Sequence, residues 1–446
     1  MNITGFNAAP DAVPSFKERA LWALTVGLFF FLVYGTTNQI SALTGPHPAF
    51  FFEWEQSIPF IPELIVPYMS SDVFFVVAFA MAPTRNSIQK LGLRCGLAIL
   101  LSAVFFLLIP LQFKFIRPEV TGWTSFLFDW LSLDQPYNQF PSLHISLGFI
   151  TWHLVRSQLR WIWRIPLTLW FLAIVASTVC VYQHHFIDII GGIAAIIAVY
   201  IAIPKKGRGF IPLWFVSPRH LHMAFRYLIA SALLTIAAFT FENARLPLGW
   251  IALSLVLVAV SYTLGFNRFL IKSQRSHSLI AWVLFGPFLI GSWINWRFWR
   301  SRIPLDTEIE PGLWMGARPG RADWKGLEMR KIDSVIDLAP ELWATTPEGI
   351  THYHHPLLDI AIPAPETLNE IAIKIEEFRK QGNVYIHCAL GMSRSAMAIA
   401  AWMIRQGASV EEALARLDII RPERVRKPYI NITLELYADH LRKVKG

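Results

Sequence analysis

The sequence predicts an all-α polytopic membrane domain followed by a soluble α/β domain, on three observations. Mean hydropathy is +0.42 and 54% of the 446 residues are hydrophobic, which is too apolar for an ordinary soluble chain. Apolar windows long enough to cross a bilayer recur up to about residue 296 and then cease. From about Pro311 onward, short β-type runs alternate with helical ones, as in a wound α/β domain.

The expected spans lie at about residues 20–43, 62–82, 92–113, 141–156, 165–183, 186–204, 223–241, 247–264 and 279–296. Lys17 and Arg19 precede the first, and no small-residue cleavage site follows it, so an uncleaved span is expected there. The segments 84–94, 156–164, 205–219 and 267–275 are rich in Lys and Arg. All four fall on one side if the N-terminus is inside, which leaves 114–141 outside, periplasmic in a bacterium. The ninth segment conflicts with this count. A full crossing would put the tail outside, whereas Arg297, Arg300 and Arg302 argue for inside, and Gly286-Pro287 interrupts the segment in its middle. A re-entrant or interface-lying segment resolves the conflict. The expectation is a multi-pass protein of a bacterial inner membrane with a cytoplasmic tail. Residues 1–300 form its membrane domain, with a core at about 50–205 and further helices over 206–300, and 303–446 form its soluble domain.

The net charge is +9 and the pI is near 9.5. The cations sit in short clusters between apolar stretches, however, which is a topology signal and excludes a nucleic-acid partner. Three cysteines, Cys95, Cys180 and Cys388, suggest no disulfide framework. Trp161, Trp163, Trp293 and Trp296 read as interfacial anchors. There is no internal repeat, and oligomeric state is not legible. In the tail, strands are expected over about 312–316, 332–338, 352–358 and 383–387, and helices over about 368–381, 393–406 and 410–417.

The strongest signal is Val384-Tyr385-Ile386-His387-Cys388-Ala389-Leu390-Gly391-Met392-Ser393-Arg394-Ser395, a buried-type strand entering a helix through a Cys-x-x-x-x-x-Arg loop. Backbone N–H groups of Ala389, Leu390, Gly391, Met392 and Ser393 at a helix N-terminus form a nest for phosphate oxyanions. The same field lowers the thiol pKa of Cys388, and the thiolate is the nucleophilic form. Arg394 offers a planar fork for two phosphate oxygens, and Gly391 permits a tight turn. His387 orders the loop, and Ser395 offers its hydroxyl to the departing thiolate. Asp359, in Leu357-Leu358-Asp359-Ile360-Ala361 at the end of an expected strand, is the candidate proton donor. A plain turn or cap role for Asp359 is the competing reading.

These residues resemble the protein tyrosine phosphatase superfamily in its dual-specificity branch, which includes lipid-directed members acting on phosphatidylglycerophosphate or phosphoinositides. The resemblance covers about residues 303–446. It implies that Cys388 attacks phosphorus, Asp359 protonates the leaving oxygen and then activates water, and Arg394 stabilises both steps. Ala389, Leu390 and Met392 carry no charge, which favours a lightly phosphorylated substrate, either a lipid phosphomonoester or a phosphoprotein.

Three polar groups mark the membrane domain: Lys114 to Pro118, Asn138 to His144, and Ser177 to Asp188. They offer Lys114 and Arg117 as cations, His184 as nucleophile and His144 as acid. If helical there, His184 and Asp188 share one face, and the carboxylate orients the imidazole. Ser142 and nearby amides can bind phosphate at a helix start. The Pro141-Ser142-Leu143-His144 string resembles the type 2 phosphatidic acid phosphatase superfamily, in the branch similar to inositolphosphoryl ceramide synthases, over about residues 50–205. That likeness implies a phosphohistidine at His184, oriented by Asp188, with His144 protonating the leaving group. His185 adjoins His184, so this choice rests on motif spacing alone. Two cation positions of that pattern hold Pro110 and Thr178.

The expected function is a membrane-bound phosphomonoester phosphatase of phospholipid or lipid-linked phosphate metabolism, without cofactor or metal. Two alternatives stay open. One is a lipid headgroup phosphotransferase with a trimming phosphatase domain; the other is a protein phosphatase anchored by a degenerate lipid-binding domain.

Overall fold

The computed structural model describes residues 9–132, 134–205, 207, 209–273 and 275–445. Lys206 and Arg208 of the expected basic loop lie outside these. The chain forms two compact units, divided between Leu213 and Trp214.

The first unit is helical: α1 (Phe16–Thr44), α2 (Ile65–Met81), α3 (Arg85–Leu108), α4 (Ser125–Leu131), α5 (Leu143–Gln158), α6 (Trp161–Cys180) and α7 (Phe186–Ala202). Thr84 caps α3 by accepting the Ser87 N–H at 3.2 Å. The basic segment expected over 84–94 as a loop is therefore mostly the start of this helix. Its cations are used in packing: Arg85 pairs with Glu18 at 2.6 Å, and Arg94 donates to the Ile203 carbonyl at 2.9 Å. Close helix contact depends on small residues. A Cβ on Gly92 would lie 2.5 Å from the Trp22 ring, so α1 and α3 can approach there only with glycine.

The second unit opens with α8 (Pro218–Thr240), α9 (Arg245–Leu264) and α10 (Leu279–Arg300). Seven helices among the described residues are long and apolar enough to cross a membrane, these three included. The two expected spans outside that set, α5 and α7, have 16 and 17 residues. Helices α8 and α9 form a hairpin in which the buried Ser231 hydroxyl donates to the Ala252 carbonyl at 2.8 Å.

Helix α10 runs unbroken through Gly286-Pro287, so the expected mid-segment break is absent. Gly286 instead accommodates Trp250, which would lie 2.8 Å from a Cβ there.

An α/β domain completes this unit: β1 (Asp306–Glu310), β2 (Leu313–Ala317), α11 (Trp324–Glu328), β3 (Ile332–Asp337), β4 (Thr351–His354), α12 (Pro365–Arg379), β5 (Asn383–Cys388), α13 (Arg394–Arg405), α14 (Val410–Ile420) and α15 (Pro428–Lys445). The sheet order is β1-β2-β5-β3-β4. All neighbours are parallel except the β1–β2 hairpin, which turns at Gly312 with φ +81°. Strand β1 was not expected, because only Ile309 of its five residues is buried and four are polar. The expected strand at 352–358 is shorter, ending at His354 ahead of Pro356, whose ring lacks the N–H a ladder needs. Strand β5, buried at five of its six positions, is central, and α13 packs its apolar face across the sheet on Ile386, Met315 and Leu338.

Helix α10 is bound to this domain along its length. Just before it, His277 Nε2 lies 2.7 Å from the Pro340 carbonyl oxygen. Near its end, Trp296 donates to the Arg318 carbonyl at 3.1 Å, and Arg300 pairs with Asp323 at 2.8 Å. Between them, Trp282 and Trp293 both approach the Trp343 ring, at 6.2 and 6.5 Å. Leu279, Val283, Ile290, Ile294 and Phe298 on α10 stay exposed.

Candidate active site

Strand β5 delivers Cys388 to the carboxyl end of the sheet, where ligands of wound α/β folds bind. The loop after it returns sharply into α13. Gly391 has φ +68°, and a Cβ there would stand 2.4 Å from the Gly316 carbonyl carbon, so no side chain fits. Neighbours clamp this loop. The Arg318 N–H donates to the Ala389 carbonyl at 3.1 Å, and the Val425 N–H donates to the Met392 carbonyl at 2.8 Å. The Ser393 and Tyr429 hydroxyls share a 2.7 Å hydrogen bond.

Cys388 is 3% exposed and accepts hydrogen bonds from the Gly391 N–H at 3.3 Å and the Ser395 hydroxyl at 3.2 Å. Burial alone would raise its pKa. The Arg394 charge and the hydrogen bonds from Ser395 outweigh burial and hold the thiol below its ordinary value. The sequence-based candidates Cys388, Arg394 and Ser395 therefore form one cluster.

Arg394 is gripped by two carboxylates. Its Nη1 and Nη2 donate to Glu341 at 2.9 and 2.5 Å, and its Nε lies 3.2 Å from Asp359 Oδ1. Glu341 was not anticipated. It lies 53 residues before Arg394, in the loop after β3, and nothing local marks it beyond its place behind Pro340. Burial pushes the Glu341 carboxyl up, but the Arg394 charge overrides this and holds it below the usual range.

Asp359 does not end a strand, as was expected; it sits in a turn after β4. Ile360 beside it has φ +56°, a strained region for a β-branched residue. Two helical residues hold this turn: the Tyr262 hydroxyl of α9 donates to the Asp359 carbonyl at 3.0 Å, and Arg219 of α8 donates to the Ile360 carbonyl at 3.3 Å. Although 48% of the Asp359 side chain opens into the cavity, surrounding protein atoms still strip it of much water. This desolvation leads in raising its pKa, with Glu341 adding repulsion and Arg394 opposing.

His387 points under the loop toward Asp337, with Nδ1 3.7 Å from Oδ1, beyond hydrogen-bond length. Burial pushes its pKa down to about 4, against the pull of Asp337. Asp337 also faces His352 and His354 at 3.6 Å each and pairs with Lys272 at 2.6 Å.

Above Cys388 opens a cavity of about 1030 Å³ whose lining includes Glu341, Asp359 and Arg394 together with Tyr227 of α8, Tyr262 of α9 and Phe288 of α10.

In the helical unit, His184 Nδ1 lies 3.3 Å from Asp188 Oδ2. The expected common helical face is not the reason, because α7 begins only at Phe186. Asp188 reaches back from the first turn, where it also accepts the His185 N–H at 2.9 Å. The neighbouring His185 is engaged elsewhere, 3.2 Å from buried Glu55 and stacked on Phe113 at 4.4 Å. His144 lies 5.6 Å from His184, ring to ring, and stacks on Tyr68 at 4.3 Å. Arg117 donates to the Val181 and Tyr182 carbonyls at 3.3 Å each, just before His184. The Lys114 side chain is exposed; it is its backbone N–H that donates to His185 at 3.2 Å. Ser142 occupies the N-cap position of α5 without making a side-chain capping bond, and its buried hydroxyl has no partner among the described residues.

Two family models match the chain: the PAP2 superfamily over residues 91–208 and the dual specificity phosphatase catalytic domain over residues 313–438. Protein phosphatase Slingshot homolog 3 of Mus musculus is 31% identical over 120 residues, 26% of this chain and 18% of that protein. The Homo sapiens protein of that name is 30% identical over 139 residues, 30% of this chain and 21% of its own. The chain thus spans about a fifth of the curated relatives it matches. Among solved structures, the active form of Tk-PTP is similar at 28% identity and a TM-score of 0.28, covering 30% of this chain and 97% of that one. PTPMT1 in complex with PI(5)P is similar at 20% identity and a TM-score of 0.30, covering 32% and 100%. The chain carries a PAP2 domain over residues 91–208 followed by a dual-specificity phosphatase catalytic domain over residues 313–438.

Proposed function

We propose that the chain is a membrane-bound phosphatase that hydrolyses lipid-linked phosphomonoesters through a cysteinyl-phosphate at Cys388. The Cys388 thiolate attacks phosphorus while the loop N–H groups and Arg394 hold the equatorial oxygens. Asp359, with its pKa raised, protonates the leaving oxygen. The resulting carboxylate then takes a proton from water, which attacks the phosphocysteine and releases phosphate, and Ser395 stabilises the departing thiolate. Glu341 holds the guanidinium in register for both steps.

One observation carries the choice of a lipid substrate: residues of α8, α9 and α10, all apolar and long enough to cross a membrane, line the cavity over Cys388. The test is phosphate release in detergent from phosphatidylglycerophosphate and phosphatidylinositol phosphate, compared with phosphotyrosine peptides and with Cys388→Ser as control. Peptide turnover without lipid turnover would favour an anchored protein phosphatase instead.

A second reading concerns the helical unit, where the His184–Asp188 pair beside His144 suits phosphoryl or headgroup transfer. Acceptor-dependent turnover that survives Cys388→Ser and is abolished by His184→Ala would support it.

A further inference from the structure

Arg394 is the only cation supplied by the catalytic loop, yet its cavity carries three more, Arg219, Arg226 and Lys427. Their situations differ. Arg394 is held by Glu341 and Asp359, and Arg219 is spent on the Ile360 carbonyl and on the Tyr429 ring at 4.7 Å. Arg226 and Lys427 are exposed, line the cavity, and make no side-chain hydrogen bond or ion pair among the described residues. Arg226 sits two turns into α8, a helix apolar enough to cross a membrane, where an uncompensated charge is costly and marks a polar pathway or ligand. The same cavity is also lined by apolar side chains, Leu255 of α9 with Pro287 and Phe288 of α10. A single phosphate would fill a small part of about 1030 Å³, a volume at the upper end of pockets that enclose a whole drug-sized ligand, roughly 300–1,000 Å³.

We propose that Arg226 and Lys427 form a second anion subsite in the catalytic cavity. The substrate is then a glycerophospholipid with two phosphates: a terminal phosphomonoester at Cys388 and a phosphodiester, nearer the acyl chains, at Arg226 and Lys427. The apolar wall of α9 and α10 receives the start of the acyl chains. Only the monoester P–O bond breaks, because the diester is held away from the thiolate. This rests on the lipid reading above and sharpens it, since it separates such a lipid from phosphatidic acid, whose single phosphate is itself the monoester. It also locates the cations that the uncharged loop residues Ala389, Leu390 and Met392 do not supply.

The test uses the full chain in an uncharged detergent, with phosphatidylglycerophosphate, phosphatidic acid, a doubly acidic phosphopeptide and p-nitrophenyl phosphate. For the unmodified protein, kcat/KM is expected to be about tenfold or more higher on phosphatidylglycerophosphate than on phosphatidic acid, the scale of one charge-assisted contact. In Arg226→Gln/Lys427→Gln, the ratio of kcat/KM for phosphatidylglycerophosphate over p-nitrophenyl phosphate is expected to fall at least about tenfold, mainly through KM. Each exposed residue changed singly should give part of that fall. Equal Cys388-dependent turnover of the two lipids, taken as the difference from Cys388→Ser, or an unchanged ratio in the double variant, overturns the second subsite and leaves the lipid reading standing. Turnover of p-nitrophenyl phosphate or of the phosphopeptide without any lipid turnover overturns both.

Discussion

Lys272 Nζ lies 2.6 Å from Asp337 Oδ2, and each side chain is only 1% exposed. Lys272 comes from the connection between α9 and α10 and also donates to the Ala339 and Leu342 carbonyls at 2.8 and 2.5 Å. It plugs the α/β domain from outside the segment that matches the phosphatase family, directly behind the strand end that supports His387.

Removing one partner should be costly. Lys272→Met strands a buried carboxylate and is expected to destabilise the second unit by about 3–5 kcal/mol, while Lys272→Met with Asp337→Leu recovers most of the loss. Denaturant unfolding of the three proteins checks this. The pH dependence has a definite sign. Burial would raise the Asp337 pKa, but Lys272 and His387 hold it well below the usual range. The stabilisation is thus present above the unfolded carboxyl value and is lost as pH falls through the folded one.

The Cys388 thiol should be alkylated by iodoacetamide with a half-maximal rate at a pH below the free-cysteine value of about 8.5. Phosphate or vanadate should protect it, and Arg394→Ala should move the midpoint upward by removing the cation that opposes burial. A midpoint at the free-cysteine value with no protection would remove the case for a thiolate nucleophile.

Asp359→Asn should lower kcat on alkyl phosphates by about 10²–10⁴-fold. The effect on p-nitrophenyl phosphate should be small, since that leaving group needs no proton. Because the acid must be protonated to act, wild-type kcat falls as pH rises through the raised Asp359 pKa. That basic limb should be missing in the variant's pH profile.

Tyr262→Phe removes the hydroxyl that holds the Asp359 carbonyl. Loss of one hydrogen bond of about 1 kcal/mol should reduce kcat several-fold with little change in KM, and a shifted basic limb would separate this from a general loss of folding.

The tail should lie on the cytoplasmic side, because α10 is held against the α/β domain at both ends and is then expected to lie in the membrane interface. An alkaline phosphatase reporter fused after Gly446 should be inactive and a fluorescent protein bright; the opposite pair of results would make α10 a full crossing.

Much of this was legible in the sequence. Among the described residues nine helices overlap the nine expected segments, with ends displaced by up to seven residues (α3 begins at Arg85, not at 92), since a long apolar run needs no partner to be recognised. Arg300 and Arg302 were weighed as topology signals, yet Arg300 serves to dock α10 on Asp323 and Arg302 lies over the Phe298 ring at 3.7 Å. A charge count cannot separate these uses. Strand β1 escaped because its single apolar residue, Ile309, becomes part of a buried face only once β2 is beside it; helix α15 was not expected, although Tyr429, Ile430, Leu434, Tyr437 and Leu441 recur at helical spacing.

The Cys388–Arg394 loop was determined by sequence alone, because strand, turn and helix are consecutive there and a Cys and an Arg six positions apart are brought together by local backbone geometry. Which groups meet Arg394, which of two adjacent histidines faces Asp188, and which cations enter the cavity were decided only by tertiary structure. Glu341, Asp359, Arg226 and Lys272 come from separate segments, and the close approach that makes a carboxylate or a cation count is created only when those segments pack.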